Sequence, residues 1–421
     1  MEKFAGLLAK GGGFCDCVFG WDVADELYDS GSFTGWHTGF PDADYRLVVD
    51  TERWLPDEGV PYFIGEFATE GEDYHPVCPR STLRRALDRA AGHGLALKAG
   101  FEYEFFVFDE TPHSVREKHY RDLRPLTPGN FGYSVLRASS NADLFRGLMN
   151  YCDEIDTPLE GLHCETGPGV WEGALAASDG LAPADRAALF KTFSKVFFAK
   201  HEAIATFMAK WSMDYPGQSG HFHFSLLDDA GDNAFGATEA PADVSQLPAR
   251  LRHAVGGLVR YVPELLTMLA PTVNSYTRLV KGAWAPTAAT WGFDNRTTAF
   301  RIITGGASAQ RIECRVSGAD ANPYLAAAAA LGAALLGIEQ EIEPPDPVAG
   351  NGYDVEDTLP DNLRFPSTLR DANARFAASE AARDLFGDAF ADHYVTSRDW
   401  ETREAERTVT DWQLARYFEI I

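Results

Sequence analysis

Basic charge is scarce in this chain: 37 lysines and arginines stand against 62 aspartates and glutamates, a net charge of −25. That balance excludes non-specific binding to nucleic acid or an anionic membrane surface, because either needs a basic face to displace counterions. The six cysteines (Cys15, Cys17, Cys78, Cys152, Cys164 and Cys314) form no CxxC pair and keep no zinc-type spacing with histidines. They read as reduced thiols of a cytosolic protein. Cys15-Asp16-Cys17 lacks the second pair that a metal site would need. No apolar run exceeds Tyr324 to Ile338, which is mostly Ala and Gly and too short to span a bilayer. The start, MEKFAGLLAKGGGF, has neither the apolar core nor the cleavage site of a signal peptide, so a cytoplasmic location is expected. Also missing are a GxxxxGK[ST] loop, a kinase-type glycine loop and a GxGxxG turn. A bound nucleotide would have to be held by other means.

The 421 residues, 45% hydrophobic and 12% aromatic, suffice for a sizeable core and two domains. Residues 1–76 are rich in Gly, Asp and aromatics and carry short alternating pieces, Tyr45 to Val49 and Tyr62 to Ile64. They predict a small β-rich unit. A rigid junction, Pro76 to Ser81, follows, with Ser81 expected to cap the next helix. Residues 77–421 then form a large α+β domain. Helical periodicity runs through 81–93, 140–155, 184–211, 247–269, 322–342 and 371–387, and 342–363 reads as a polar, mobile loop.

The polar chemistry concentrates on strand-like pieces. In Ala99 to Phe108, Phe101, Tyr103, Phe105 and Val107 share one face while Glu102 and Glu104 share the other, about 7 Å apart. Two such carboxylates repel unless a cation sits beside them, although a solvent-facing edge strand would serve equally. In Gly220 to Leu226, His221, His223 and Ser225 point one way and the apolar residues the other. Arg311, Glu313 and Arg315 alternate likewise, either as a salt-bridge ladder or as part of a site. Glu165 and Glu172 flank a Gly-Pro-Gly turn that would bring them together if it closes a hairpin. From Asn274 to Arg315 the arginines Arg278, Arg296, Arg301, Arg311 and Arg315 offer forks for carboxylate or phosphate oxygens. Five glutamates with one imidazole suit Mg²⁺ or Mn²⁺ better than zinc. A pair of such ions beside these arginines is equipment for phosphoryl transfer from a nucleotide, with a metallohydrolase as the other reading of the same motifs.

The order FEYEFFVF, HCETGPGVWE, GHFHFSL, NSYTRL, DNRTTAFRI, RIECR and DANPYLAAAAALGAALLGIE resembles the glutamine synthetase family from about residue 77 onward. The resemblance implies a small β-grasp N-terminal domain, a large catalytic α+β domain, and rings, expected to be dodecamers, with sites at subunit boundaries. It implies two or more Mg²⁺ or Mn²⁺ ions per site: Glu104, Glu165 and Glu172 for the first, Glu102, His221 and Glu313 for the second. Arg278, Arg315 and Gly217 would hold glutamate. Arg296, Arg301 and Arg311 would surround the ATP phosphates, with His223 and Ser225 on the nucleotide side; Arg296, Arg278 and Asp22 would be catalytic. The implied reaction makes γ-glutamyl phosphate from glutamate and ATP, and an amine then displaces phosphate.

Departures from the family pattern concern the amine. Six residues after Arg278, where ammonia-using members carry a glutamate, stands Trp284. An indole offers a flat apolar wall or a cation–π face in place of a proton acceptor, which favours a bulkier amine. Val170, Pro216 and Ser308 replace the glutamine, asparagine and lysine usual at their positions. A strand common at the family's start is absent before Met1, so the N-terminal domain reads as shortened, with either an upstream start or a dispensable first strand. An ordinary glutamine synthetase and a non-catalytic relative are the rival readings.

Overall fold

The structure is a computed structural model that describes residues 2–28, 31–68 and 74–421. Early in the chain, β1 (Gly12–Cys15), β2 (Asp42–Leu55) and β3 (Val60–Phe67) pair antiparallel in the order β1-β2-β3. Both alternating pieces noted in the sequence lie in this sheet. A helix at Glu2–Lys10 precedes it. The next helix, Pro79–Gly92, is preceded by Cys78 with Pro79 in its first turn, and Ser81 lies buried inside rather than capping. Proline has no N–H to satisfy and its φ is preset for a helix start, so it sets the boundary two residues earlier than expected.

The large sheet has nine strands, adding β4 (Ala96–Phe108), β5 (Leu159–Cys164), β6 (Val170–Leu175), β7 (Ser178–Asp179), β8 (Ile204–Thr206), β9 (Gly220–Leu227), β10 (Trp291–Phe293), β11 (Phe300–Ile303) and β12 (Arg311–Cys314). Its order is β10-β11-β12-β9-β4-β6-β5, with β7 and β8 pairing to the ends of β4. Strand β4 is the hub. Its Phe101, Tyr103 and Phe105 are buried with Phe222 and Phe224 of β9 and with Phe190 and Phe198 of the helix Ala182–Lys200. That aromatic layer sends Glu102 and Glu104 of β4 and His221, His223 and Ser225 of β9 to the opposite face.

Helices Ala249–Leu269 and Pro323–Glu339 pack against each other and share one hydrophobic core with the aromatic layer of the sheet. The Ala- and Gly-rich run is a buried helix, as its composition predicts. A Cβ at Gly257 would stand 2.1 Å from the Ala333 carbonyl oxygen, so glycine is what lets the two backbones approach. Two periodic stretches divide where a single helix was expected. The run from 184 ends at Lys200, because Glu202 turns left-handed (φ 56°) and the chain enters β8. The stretch 371–387 becomes Leu369–Ala377 and Glu380–Phe386, since the Ser379 hydroxyl accepts from the Ala382 amide and starts a new helix. Helices Asp388–Glu406 and Asp411–Tyr417 carry charges on most turns, which hid their period. No helix among the described residues is long and apolar enough to cross a membrane.

A buried ion-pair network fastens the small sheet to the large domain. Arg80 forks onto Asp185 at 2.9 and 3.0 Å and reaches Glu66 of β3 at 2.5 Å, while Arg84 holds the same Glu66 at 3.0 Å. Bidentate geometry and two arginines on one carboxylate offset the desolvation that burial imposes.

Candidate active site

Strand register brings the polar residues together. On the face opposite the aromatic layer, Glu102 of β4 lies across from His221 of β9, and Glu104 across from Glu172 of β6. His163 of β5 faces Glu172 on its other side; His223 faces Glu313 of β12, which faces Arg301 of β11. Cross-strand neighbours lie about 5 Å apart, so six strands deliver one continuous polar surface. It floors a cavity of about 540 Å³.

The Gly-Pro-Gly turn does close a hairpin. The Glu165 amide donates to the Val170 carbonyl at 3.0 Å, and a Cβ at Gly169 would meet the Val107 carbonyl oxygen at 2.4 Å. Glu165 and Glu172 therefore converge, and His163 joins them, its Nε2 3.4 Å from Glu165 and 3.7 Å from Glu172. These three form one group that could hold a metal ion, and Glu102, His221 and Glu313 form another. In the latter, His221 Nδ1 stands 3.3 Å from Glu102 and 3.5 Å from Glu313. His163 Nε2, Glu165 Oε2 and His221 Nε2 are buried without a hydrogen-bond partner. Lone pairs of that kind in carboxylate company are what a divalent cation would satisfy, so the donor set fits such an ion.

Electrostatics show the same crowding. Burial, the hydrogen bond to Glu102, and the charges of Glu102, Glu104 and Glu165 raise the Glu172 pKa far above the carboxylate range. Glu102 goes the other way: burial would raise it, but His221 and His223 hold it down. Glu313 is 1% exposed, and burial would raise it too, yet His221, Arg315, His223 and Arg301 bring it to about 2. So crowded a cluster keeps a proton on one carboxyl when no counter-cation is beside it.

Four of the five arginines line the cavity. Arg301 Nη1 donates to Glu313 at 2.8 Å and its other nitrogens to Asp294. Arg315 Nη1 donates to the second Glu313 oxygen at 2.5 Å, and Arg311 Nε to His223 Nδ1 at 3.3 Å. Arg296 is exposed at the wall. Arg278 is different. It is buried one layer behind the wall, donating to the Val316 carbonyl and Ser219 hydroxyl at 2.9 Å and to the Arg315 carbonyl at 3.1 Å. Burial pushes its pKa down, against the pull of the Glu104 and Asp320 carboxylates. Gly217 lines the cavity directly above it: a Cβ there would come within 2.7 Å of both the Arg278 side chain and the Ala209 carbonyl oxygen.

Glu104 borders the same cavity but accepts the Ser219 amide at 2.6 Å, and His163 is the closer companion of Glu165 and Glu172. The sequence reading passed over His163. Its spacing of two from Glu165 in an extended strand was the available signal. Ser225 and Ser308 line a second cavity of about 280 Å³, which shares Glu102, His223 and Arg311 with the first. Trp284 is 60% exposed at the cavity rim beside Pro216, with left-handed backbone (φ 60°). Asp22 does not join them within the chain. Its carboxylate accepts the Ala24 and Glu26 amides at 2.8 and 3.0 Å and the Trp400 indole N–H at 2.9 Å.

Comparison with known proteins gives the family. The family model of the glutamine synthetase catalytic domain matches residues 76–417. The chain belongs to the glutamine synthetase family. Among curated members, it is 42% identical to type-1 glutamine synthetase 2 of Dictyostelium discoideum, covering all of this chain and 80% of that one. It is 36% identical to the glutamate–isopropylamine ligase of a Pseudomonas species, covering 96% of this chain and 87% of the relative. A solved structure of a GmaS–ADP complex superposes with a TM-score of 0.83 at 26% identity, over 99% of this chain and 92% of the other. In the glutamine synthetase frame, the large sheet with its polar face is the catalytic domain, and the small sheet precedes it.

Proposed function

We propose that this family member is an ATP-dependent ligase that joins the γ-carboxylate of glutamate to an amine other than ammonia, through γ-glutamyl phosphate. The observation that carries the reading is the cavity itself: two carboxylate–imidazole groups and four arginines on one wall, and Trp284 with Pro216 on the rim where the amine must enter. The glutamate–isopropylamine ligase relative supports an alkylamine. The glutamine synthetase name of the Dictyostelium relative favours ammonia as the second reading.

In this reading residues 1–76 are the small domain and 77–421 the catalytic domain. Glu102, Glu104, Glu165, Glu172, His221 and Glu313, joined by His163, would hold Mg²⁺ or Mn²⁺. Such ions, when bound, supply charge neutralisation at the phosphoryl oxygens. Arg296, Arg301 and Arg311 neutralise the charge that develops on the phosphoryl group, and His223 and Ser225 face the nucleotide through the adjoining cavity. Arg315 and the Gly217 backbone face the glutamate, with the buried Arg278 adding positive potential from behind. The γ-carboxylate oxygen attacks the γ-phosphorus and ADP leaves; the neutral amine nitrogen then attacks the acyl carbon, the C–O bond to phosphate breaks, and the proton lost from nitrogen goes to the departing phosphate. Asp22 can take part only from a neighbouring copy in a ring, and a purified chain that sediments as a monomer would remove that role.

Phosphate release is measured with glutamate, ATP and Mg²⁺ against ammonium and a panel of alkyl, hydroxyalkyl and aromatic amines. Faster turnover with a substituted amine is expected. Turnover with low-millimolar ammonium and with no other amine would replace this reading by the glutamine synthetase one.

A further inference from the structure

The polar stretch 342–363, read from the sequence as a mobile loop, is fastened to both sides of the cavity rim. Toward Arg296, the Asn295 side-chain amide donates to the Val348 and Gly350 carbonyls at 3.1 and 2.7 Å, and the Gly352 amide donates to the Thr297 hydroxyl at 2.8 Å. Toward Trp284, the Thr287 hydroxyl donates to Glu356 at 2.7 Å, and the Ala289 amide to the Leu363 carbonyl at 2.8 Å. Between these anchors Tyr353 is 8% exposed, and its hydroxyl donates to the Ala285 carbonyl at 3.0 Å. Ala285 is the residue that directly follows Trp284, so the phenol is tied to the backbone of the Trp284 turn.

Trp284 needs such a hold. A residue with a Cβ in the left-handed region is strained, and that conformation persists only where its surroundings over-determine it. The indole is largely exposed, so its own packing does not fix the backbone. The bracing must therefore come from the backbone side, and Tyr353 is the buried side chain placed there.

We infer that Tyr353 is a positioning residue that locks the Trp284 turn, so that the indole wall of the amine subsite is set by the loop 342–363. The inference rests on the proposed amine ligase for its substrate, but its structural half stands without turnover. In chemical terms the wall it holds takes a primary amine bearing an apolar substituent, since a fixed flat indole gains from apolar contact and from the face of a cation.

The test is Tyr353→Phe, which keeps the buried ring and removes only the hydroxyl. Losing one such hydrogen bond is expected to raise KM for the preferred amine about threefold to tenfold, with KM for glutamate and ATP unchanged. In a Trp284→Ala background the same substitution should have no effect on amine KM, because the residue it acts through is gone. Equal effects in both backgrounds, or a change confined to glutamate KM, would overturn the inference. Acrylamide quenching, taken as the difference between each protein and its Trp284→Phe counterpart, gives a readout free of catalysis. Tyr353→Phe should make the Trp284 signal more accessible; unchanged quenching would overturn the lock. If the unaltered protein turns over no amine, the ligase reading fails while the quenching result still decides the role of Tyr353.

Discussion

Phe101, Tyr103 and Phe105 on one face of β4 and Glu102 and Glu104 on the other are one residue apart in sequence, and they do opposite work. The aromatic face is closed and almost wholly apolar: Phe105 is fully buried against rings of Trp171, Phe190, Phe198 and Phe207. Its neighbours on the other face sit among like charges, with unpartnered imidazole and carboxylate atoms nearby. Apolar contacts on the first face hold the strands in a register that forces the second face to keep its repulsion. The carboxylate–imidazole face is thus a strained surface that the core keeps assembled.

The largest effect should come from the aromatic face. Phe105→Ala is expected to destabilise the fold by about 3–5 kcal/mol in denaturant unfolding, with or without Mg²⁺, because it opens a cavity that the packed rings cannot fill. Glu172→Gln probes the other face with the opposite sign. Its raised pKa means that at neutral pH the folded state retains a proton that the unfolded chain has lost, and the amide removes that cost. Cation-free unfolding should then show a gain of about 1 kcal/mol or more. The stabilisation from saturating Mg²⁺, about 2–3 kcal/mol at a hundredfold excess over Kd for an intact site, should largely disappear. If Glu172→Gln destabilised the apo protein as Phe105→Ala does, the contrast between the faces would be broken.

The smallest change in stability is expected at the rim. Trp284→Glu should move unfolding by no more than about 0.5 kcal/mol, since the indole is mostly in solvent. Yet the ratio of kcat/KM for ammonium over a substituted amine should rise about tenfold, as a carboxylate replaces an apolar wall. A selectivity that does not move would take Trp284 out of the amine subsite and leave the rim as packing alone.

Much of the candidate site is legible in the sequence. Alternation in FEYEFFVF, HFHFSL and RIECR assigned the polar side chains to one face of each strand, and register has joined those faces. His163 is the less legible member: its spacing of two from Glu165 hints at a shared face, but its place opposite Glu172 appears only once β5 lies beside β6. The place of Arg278 was equally hidden. Its type promised an anion contact, but burial behind Gly217 ties its guanidinium to carbonyl and hydroxyl oxygens. The loop 342–363 misled by composition: Pro, Gly and Asp describe a chain without regular structure, and they are silent on hydrogen bonds to segments about seventy residues away, such as that from Tyr353 to Ala285.

By itself the sequence determined the two-part organisation, the period-two faces and the residue types available for a cation and an anion, because these depend on local pattern and side-chain chemistry. Tertiary structure decided which carboxylates and imidazoles group together, which arginine lies behind the wall, and how the Trp284 turn is held. Those are matters of distance between strands and loops far apart in the chain. Such distances are set by cross-strand register and close packing, which no local window of residues contains.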